Sequence, residues 1–192
     1  MPAQRRYRGT IMAYKHMPSP VGRLTLVATD RGLAAILWEN DRPGRVPLNV
    51  GAAVNDHPVL VEAERQLEEY FAGRRTEFAL TLDPSGTAFQ RQVWDALLTI
   101  PFGETRSYGQ LAKQIGNPTA VRAVGAANGR NPVSIVVPCH RVVGSTGALT
   151  GFAGGLDVKA HLLAFESGLP LPRGPRQPLL LSATLLTIND GN

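Results

Sequence analysis

The sequence predicts an α+β chain: an N-terminal α/β unit followed by a mainly helical half that contains a helix-turn-helix. Two observations predict it. Short apolar and β-branched runs separated by turn residues occupy residues 10–38, and helix-spaced apolar residues with capping pairs occupy residues 87–127. A third observation concerns chemistry. The chain's one cysteine, Cys139, stands in Val136-Val137-Pro138-Cys139-His140-Arg141-Val142-Val143, between a proline and a histidine.

Residues 10–14, 24–29 and 33–38 read as strands of an antiparallel meander, divided by Pro18-Ser19-Pro20-Val21-Gly22 and Asp30-Arg31-Gly32. Residues 42–55 are polar and rich in Pro and Gly, and are expected to be a loop. Pro58 suits a first helical position, Leu60, Ala63, Leu67, Tyr70 and Phe71 follow at helical spacing, and Gly73 stops that helix. Phe78, Leu80 and Leu82 alternate as a strand. Asp83-Pro84-Ser85-Gly86 marks the boundary, so residues 1–85 form one domain and 86–168 a second.

The second domain opens on a capping box, Thr87 with Gln90, and Phe89, Val93, Trp94, Leu97 and Ile100 share the core face of its helix. Ser107 and Gln110 make another box. Leu111 and Ile115 face inward, and Gly116 ends that short helix. Asn117 is expected to cap the next one, with Pro118 as its first residue and Thr119-Ala120-Val121-Arg122-Ala123-Val124-Gly125-Ala126-Ala127 as its body. Two short helices around a Gly-Asn-Pro turn spell helix-turn-helix. A packed helix pair with no DNA role would look the same, and the pattern leaves both readings open. The second helix is poor in base-reading side chains, offering Ala, Gly and the single Arg122. Small residues suit close approach to a minor groove only about 6 Å wide. Any DNA binding is then expected to be largely independent of sequence, with Arg122 available as a wedge in the stack of bases. Residues 133–137 read as a β-rich stretch leading to Cys139, residues 144–155 as a glycine-rich loop, and residues 156–167 as a last helix. Residues 169–192 carry no assignment.

Composition limits the function classes. At 192 residues the chain can bury a sizeable core, and it contains one cysteine, which excludes an internal disulfide and any cysteine-rich zinc site. No apolar run reaches the roughly 18 residues of a membrane span, and the N-terminal residues lack the apolar core of a signal peptide. A soluble, cytoplasmic protein is expected. The net charge of +5 is uneven: residues 101–192 carry 8 Lys/Arg against 4 Asp/Glu, residues 1–100 carry 12 against 11. The excess lies in the half that holds Cys139, as a polyanionic partner would require, although ordinary solubilising charge accounts for it equally.

Free cysteine is often plain core. Against that, His140 supplies a base, Arg141 a fixed positive charge, and Pro138 stiffens the entry to the turn; cations near a thiol favour the thiolate. Both readings stand on the local sequence.

The motifs converge further on. Tyr108-Gly109-Gln110-Leu111-Ala112, Arg122-Ala123-Val124-Gly125-Ala126, Asn131-Pro132, Pro138-Cys139-His140-Arg141-Val142-Val143 and Gly151-Phe152-Ala153-Gly154-Gly155-Leu156 occur in this order. Together they resemble the O6-alkylguanine-DNA alkyltransferases of the small bacterial type, in detail over residues 87–168. The resemblance implies a ribonuclease-H-like N-terminal domain, and a monomer whose partner is double-stranded DNA and which uses no cofactor or metal. It implies extrusion of O6-alkylguanine, with O4-alkylthymine as a second substrate, and transfer of the alkyl group to the protein itself. By matching position Cys139 is the acceptor, His140 its base and Glu166 the carboxylate that orients the imidazole. Arg122 fills the vacated stack, Tyr108 helps rotate the nucleotide and donates to the base, and Asn131 holds the hinge between recognition helix and cysteine. Ala123, Ala126, Phe152 and Ala153 are implied to contact DNA or base.

Adjacent side chains in a helical turn do not face each other. If Cys139 and His140 share such a turn, a water must carry the proton between them. The thioether product has no ready leaving group and no second cysteine resolves it, so one turnover is expected.

Three features depart from the family pattern. Phe152 stands where Tyr is usual, the tail is longer, and no cysteine is available for the N-terminal zinc site of some relatives. Ser134 is small and by analogy lies near the pocket, which would admit alkyl groups larger than methyl. A non-catalytic damage binder, a DNA-binding regulator and a Cys-His-Glu hydrolase are the alternatives. The first lacks an acceptor cysteine, the second predicts base-reading side chains, and the third leaves the helix-turn-helix unexplained.

Overall fold

Strands β1 (Met12–Met17), β2 (Leu24–Thr29) and β3 (Gly32–Trp38) form the expected meander, with β1 antiparallel to β2 and β2 antiparallel to β3. The computed structural model describes residues 12–172. The expectations for the N-terminal residues, and for the tail from residue 173 on, lie outside them. A fourth strand, β4 (Val50–Ala53), pairs in parallel with β1 and gives the order β3-β2-β1-β4. It falls within the segment expected to be loop. Its four residues are exposed, so no burial pattern marks them, and only the partner backbone of β1 fixes the conformation.

Helix α1 (Pro58–Phe71) covers one face of this sheet, burying Leu60, Ala63, Leu67 and Tyr70 on the predicted stripe. Residues 78–82 do not form the expected strand. Gln66 at the buried edge of α1 donates to the Ala79 carbonyl at 3.0 Å and accepts from the Ala79 N–H at 2.8 Å. A side-chain amide thereby takes the place of a neighbouring strand, and only Leu82 bridges to β3, through Leu33.

The second half is helical. Both predicted capping boxes are formed, at the start of α2 (Ala88–Leu98) and of α3 (Tyr108–Gln114), each such cap being worth about 1 kcal/mol. Between them lies β5 (Arg106–Ser107), which pairs in parallel with β6 (Val142–Val143) just after the cysteine turn. Helix α4 (Val121–Gly129) packs on α2 and α3. It begins three residues later than Pro118. The Asn117 side chain bonds the Thr119 hydroxyl at 3.1 Å instead of capping a helix, and residues 117–120 close a turn through Ala120 N–H and Asn117 C=O at 3.0 Å. Trp94 is core, as expected, and its indole N–H donates to the Ala127 carbonyl at 3.0 Å, bracing α4 against α2. Helix α5 (Leu156–Glu166) closes the domain. Among the described residues no helix is long and apolar enough to cross a membrane.

One buried core runs through both halves, from Leu26 and Ile36 of the sheet to Val124 and Leu162 of the helices. The seam is bonded as well as packed, because the Ile36 N–H donates to the Pro132 carbonyl at 2.9 Å and Val133 bridges to Ile36. The edge of β3 thus holds the segment that leads to Cys139.

Candidate active site

Residues 133–137, expected as a β-rich stretch, form only isolated bridges, Val133 to Ile36 and Ser134 to Val137, and no strand. Asn131 accepts from the Val133 N–H at 3.0 Å and donates to the Val137 carbonyl at 2.8 Å, folding the segment around its own side chain. Ile135 sits at φ 73°, a conformation costly for a β-branched residue, and the paired Asn131 side chain over-determines it. The path delivers Pro138 and then a single 3-10 turn, Cys139–Arg141.

Cys139 and His140 are therefore neighbours in a tight turn, and no hydrogen bond joins their side chains among the described residues. Cys139 is 3 % exposed and His140 fully buried. The imidazole Nε2 lies 2.8 Å from Glu166 Oε1, while Nδ1 is buried with no partner among the described residues. A carboxylate on Nε2 selects the Nε2–H tautomer, which leaves a lone pair on Nδ1.

Glu166 collects donors from four directions. Besides His140, Tyr70 Oη donates to Oε1 at 2.7 Å, and Arg141 donates through Nε to Oε2 at 2.8 Å and through Nη2 to Oε1 at 3.0 Å. The Gly103 N–H reaches Oε2 at 3.4 Å. Arg141 also donates through Nη1 to the Ile100 carbonyl at 2.6 Å. From the sequence, Arg141 is expected as a charge beside the thiol. The structure corrects this: the guanidinium is bound by Glu166 and holds the carboxylate.

The electrostatics follow from burial. Burial pushes the Cys139 thiol above its ordinary value, outweighing hydrogen bonding from Asn131 and Ser134 and the positive charges of Arg45 and Lys159. Burial pushes the His140 imidazole down, and the Arg141 and Lys159 charges add to this against the pull of Glu166. Burial also pushes the Glu166 carboxyl up, but His140 and Arg141 outweigh it and hold it at about 2. At neutral pH the site accordingly contains a thiol, a neutral imidazole and a carboxylate. The thiol is not activated at rest, and a base must take its proton.

Lys159 is a functional candidate that sequence reasoning misses. Its ammonium is fully buried and donates to the Val142 carbonyl at 2.6 Å and the Thr150 carbonyl at 2.8 Å, tying the glycine-rich loop to the cysteine turn. The available signal is a cation on the buried stripe of α5, where Lys159, Leu162 and Glu166 follow at helical spacing. Trp38 is missed as well. Its indole N–H donates to Ser134 Oγ at 3.2 Å, its ring meets Phe152 edge-on at 5.4 Å, and a Cβ on Gly154 would lie 2.8 Å from it. That close approach requires glycine at 154, and the ring sets how the loop carrying Phe152 and Ala153 lies over the site.

A groove of about 1190 Å³ is lined by Tyr108, Arg122, Gly125, Phe152 and Ala153 among others; Cys139, His140 and Glu166 do not line it, and Phe152 links it to them. The Tyr108 hydroxyl stands 3.5 Å from the Thr150 carbonyl across it. Arg122, Ala123 and Ala126 lie exposed on α4, while Val124 and Ala127 are buried. Phe152 is 6.5 Å from the His140 ring, centroid to centroid. The structure thus brings Cys139, His140, Glu166 and Asn131 together, and places Tyr108, Arg122, Phe152 and Ala153 along the groove.

The described residues thus combine a buried thiol–imidazole–carboxylate set with a groove lined in part by α4. The comparisons specify it further. The family models for 6-O-methylguanine DNA methyltransferase match residues 12–84 as its ribonuclease-like domain and residues 88–168 as its DNA binding domain. The chain belongs to this family. It is 49 % identical over 156 residues to a methylated-DNA--protein-cysteine methyltransferase of Methanosarcina acetivorans, covering 81 % of this chain and 98 % of that protein. Its identity to the protein of the same name from Mycobacterium leprae is 50 % over 157 residues, covering 79 % and 90 %. The crystal structure of Mycobacterium tuberculosis OGT in complex with DNA is similar at a TM-score of 0.73 and 47 % identity, covering 81 % of this chain and 93 % of that one.

The two lowered pKa values set an acid limit on stability. The unfolded chain protonates His and Glu near their ordinary 6.5 and 4.5, before the folded chain does. The stabilisation is present above those values and is lost as pH falls, first below 6.5 through His140 and then from 4.5 toward about 2 through Glu166. Urea midpoints measured from about pH 8 down to about pH 2 should decrease in those two stages. A midpoint unchanged over that range would contradict the assignment.

Proposed function

We propose that the chain reverses alkylation damage in DNA by extruding O6-alkylguanine through the minor groove and passing the alkyl group to its own Cys139, once per molecule. Membership of the methyltransferase family gives repair by alkyl transfer. The finer steps rest on the arrangement of side chains. The observation that carries them is the buried Cys139-His140-Glu166 set, whose imidazole lies 6.5 Å from the ring of Phe152 in the lining of the groove that α4 shares.

The atom to be attacked is an sp3 carbon on guanine O6, shielded inside the duplex, so the nucleotide must leave the stack. Helix α4 exposes Arg122 among small residues. It approaches the minor groove closely, puts Arg122 into the vacated stack and reads little of the sequence. Tyr108 helps the nucleotide rotate and donates a hydrogen bond to the base. Phe152 supplies a ring without a hydroxyl, and Ala123, Ala126 and Ala153 let backbone approach DNA and base. Asn131 holds the hinge between α4 and the cysteine turn.

The thiol proton passes through a water to the lone pair on His140 Nδ1, and the buried carboxylate of Glu166 stabilises the resulting imidazolium. Cys139 Sγ then attacks in line. The S–C bond forms as the C–O6 bond breaks, and the electron pair left on guanine is balanced by proton uptake at the base. Neither metal nor cofactor enters the step. The thioether has no leaving group, so the protein is consumed. A cytoplasmic monomer acting on duplex DNA with O6-alkylguanine, and on O4-alkylthymine as a further substrate, fits this reading.

Intact-mass measurement after incubation with O6-methylguanine duplex tests it. The protein should gain the mass of one CH2 group, mapped to Cys139 and absent from Cys139→Ala. Unmodified protein that still binds DNA would favour a binding-only role. Ser134, small and within hydrogen-bond reach of the thiol, is proposed to tolerate alkyl groups larger than methyl, so O6-benzylguanine should react too. Reaction with the methyl but not the benzyl substrate would refute that part.

A further inference from the structure

The groove has a wall that α4 does not supply. Part of its lining is the segment Arg42-Pro43-Gly44-Arg45-Val46-Pro47 of the N-terminal domain. Among the described residues, four arginines line the groove, Arg42, Arg45, Arg122 and Arg130, and no carboxylate does.

These arginines are of two kinds. Arg45 is structural: its guanidinium is paired with Asp41 and donates through Nη1 to the Asn131 carbonyl at 2.6 Å. It fastens the segment to the residue that folds the cysteine loop, and it neutralises Asp41, a nearby carboxylate. Arg42, Arg122 and Arg130 are exposed, and none of them forms an ion pair among the described residues. Arg122 and Arg130 stand on and just beyond α4, and Arg42 stands on the part of the lining that the N-terminal domain supplies.

Unpaired guanidinium groups gathered in a cleft without counter-charge focus a positive potential and attract a polyanion. A volume of about 1190 Å³ exceeds the roughly 300–1,000 Å³ of small-molecule pockets, and the opening is a groove shared by two domains. Pro43 and Pro47 restrict the segment's backbone, so little entropy is lost when it grips a ligand. Arginine matches phosphate oxygens with a two-pronged donor set.

We propose that the segment from Arg42 to Pro47 is a second DNA-contacting wall, on which Arg42 meets a backbone phosphate while Arg130 meets another from the side of α4. The ribonuclease-like domain then binds DNA together with the helix-turn-helix domain. This rests on the reading of the chain as a DNA repair protein and adds to it the part its first domain plays.

The test is the salt dependence of duplex binding, followed by fluorescence anisotropy on the full chain with a labelled O6-methylguanine duplex. Removing one arginine–phosphate interaction should reduce the slope of log K against log salt by about 0.9. Arg42→Gln and Arg130→Gln should each weaken binding and lower the slope by about one, and the double variant by about two. Arg42→Lys keeps the charge and should restore the slope; it also separates charge loss from misfolding. An Arg42→Gln slope equal to that of the unaltered protein, whatever the affinity, overturns the proposal while leaving the repair reading standing. Failure of the unaltered protein to bind DNA would overturn that reading itself.

Discussion

Glutamine in place of Glu166 is expected to lower stability by about 3–5 kcal/mol, the cost of breaking a buried ion pair from one side. Glu166 is 1 % exposed at its side chain and accepts from Tyr70, His140, Arg141 and the Gly103 N–H. A glutamine offers one oxygen, and its NH2 group faces donors. The Arg141 guanidinium, 7 % exposed, is then left without its counter-charge. Removing one donor instead should cost far less: Tyr70→Phe loses a single hydrogen bond to a charged group, about 1.5–3 kcal/mol. Urea unfolding of the two variants should therefore rank E166Q well below Y70F. Equal midpoints would mean that the carboxylate does not organise the site. Transfer by E166Q should also slow, because the imidazole loses the partner that fixes its tautomer.

The second large effect is kinetic. His140→Gln should slow alkyl transfer by about 10²–10⁴-fold, the usual contribution of a positioned general base. The pH profile carries the sharper information. Burial raises the Cys139 thiol and lowers the His140 imidazole, so the unaltered protein has a neutral base across physiological pH. Its rate should be flat there and should fall only on the acid side, as His140 becomes protonated. Without the imidazole the thiolate must form by direct ionisation. The rate of H140Q should then climb about tenfold per pH unit until the raised thiol value is reached. A variant whose profile is as flat as the original would show that His140 is not the base.

The parts legible in the sequence are those that depend on near neighbours. Thr87 with Gln90 and Ser107 with Gln110 cap their helices within one turn of chain, and both boxes are formed. The buried stripe of α1 follows from its spacing alone. Residues 78–82 and 133–137 have β-like sequences yet form no strand, because the amides of Gln66 and Asn131 take the ladder's hydrogen bonds. Strand β4 escapes for the opposite reason, since an exposed edge strand has no pattern to read.

The site divides similarly. Cys139, His140 and Glu166 are reachable through the order of motifs, and the turn that separates the first two side chains is present. The role of Arg141 is hidden in the sequence because its partner lies 25 residues away. Tyr70 looks like a core aromatic, and its ring is one, but its hydroxyl crosses from the first domain to Glu166 at 2.7 Å. Arg45 and Trp38 also act across the seam between domains, toward Asn131 and Ser134. Such interactions have no local signature, and they are the ones that set the cysteine's surroundings.

On the proposed mechanism a thiol kept protonated by burial is spent once as the alkyl acceptor. Titrating the protein with increasing amounts of O6-methylguanine duplex and counting the guanines restored per protein molecule tests this. Repair should level off at one guanine per molecule, together with complete modification of Cys139. Repair that continues past one per molecule, or a plateau reached with Cys139 unmodified, would contradict it.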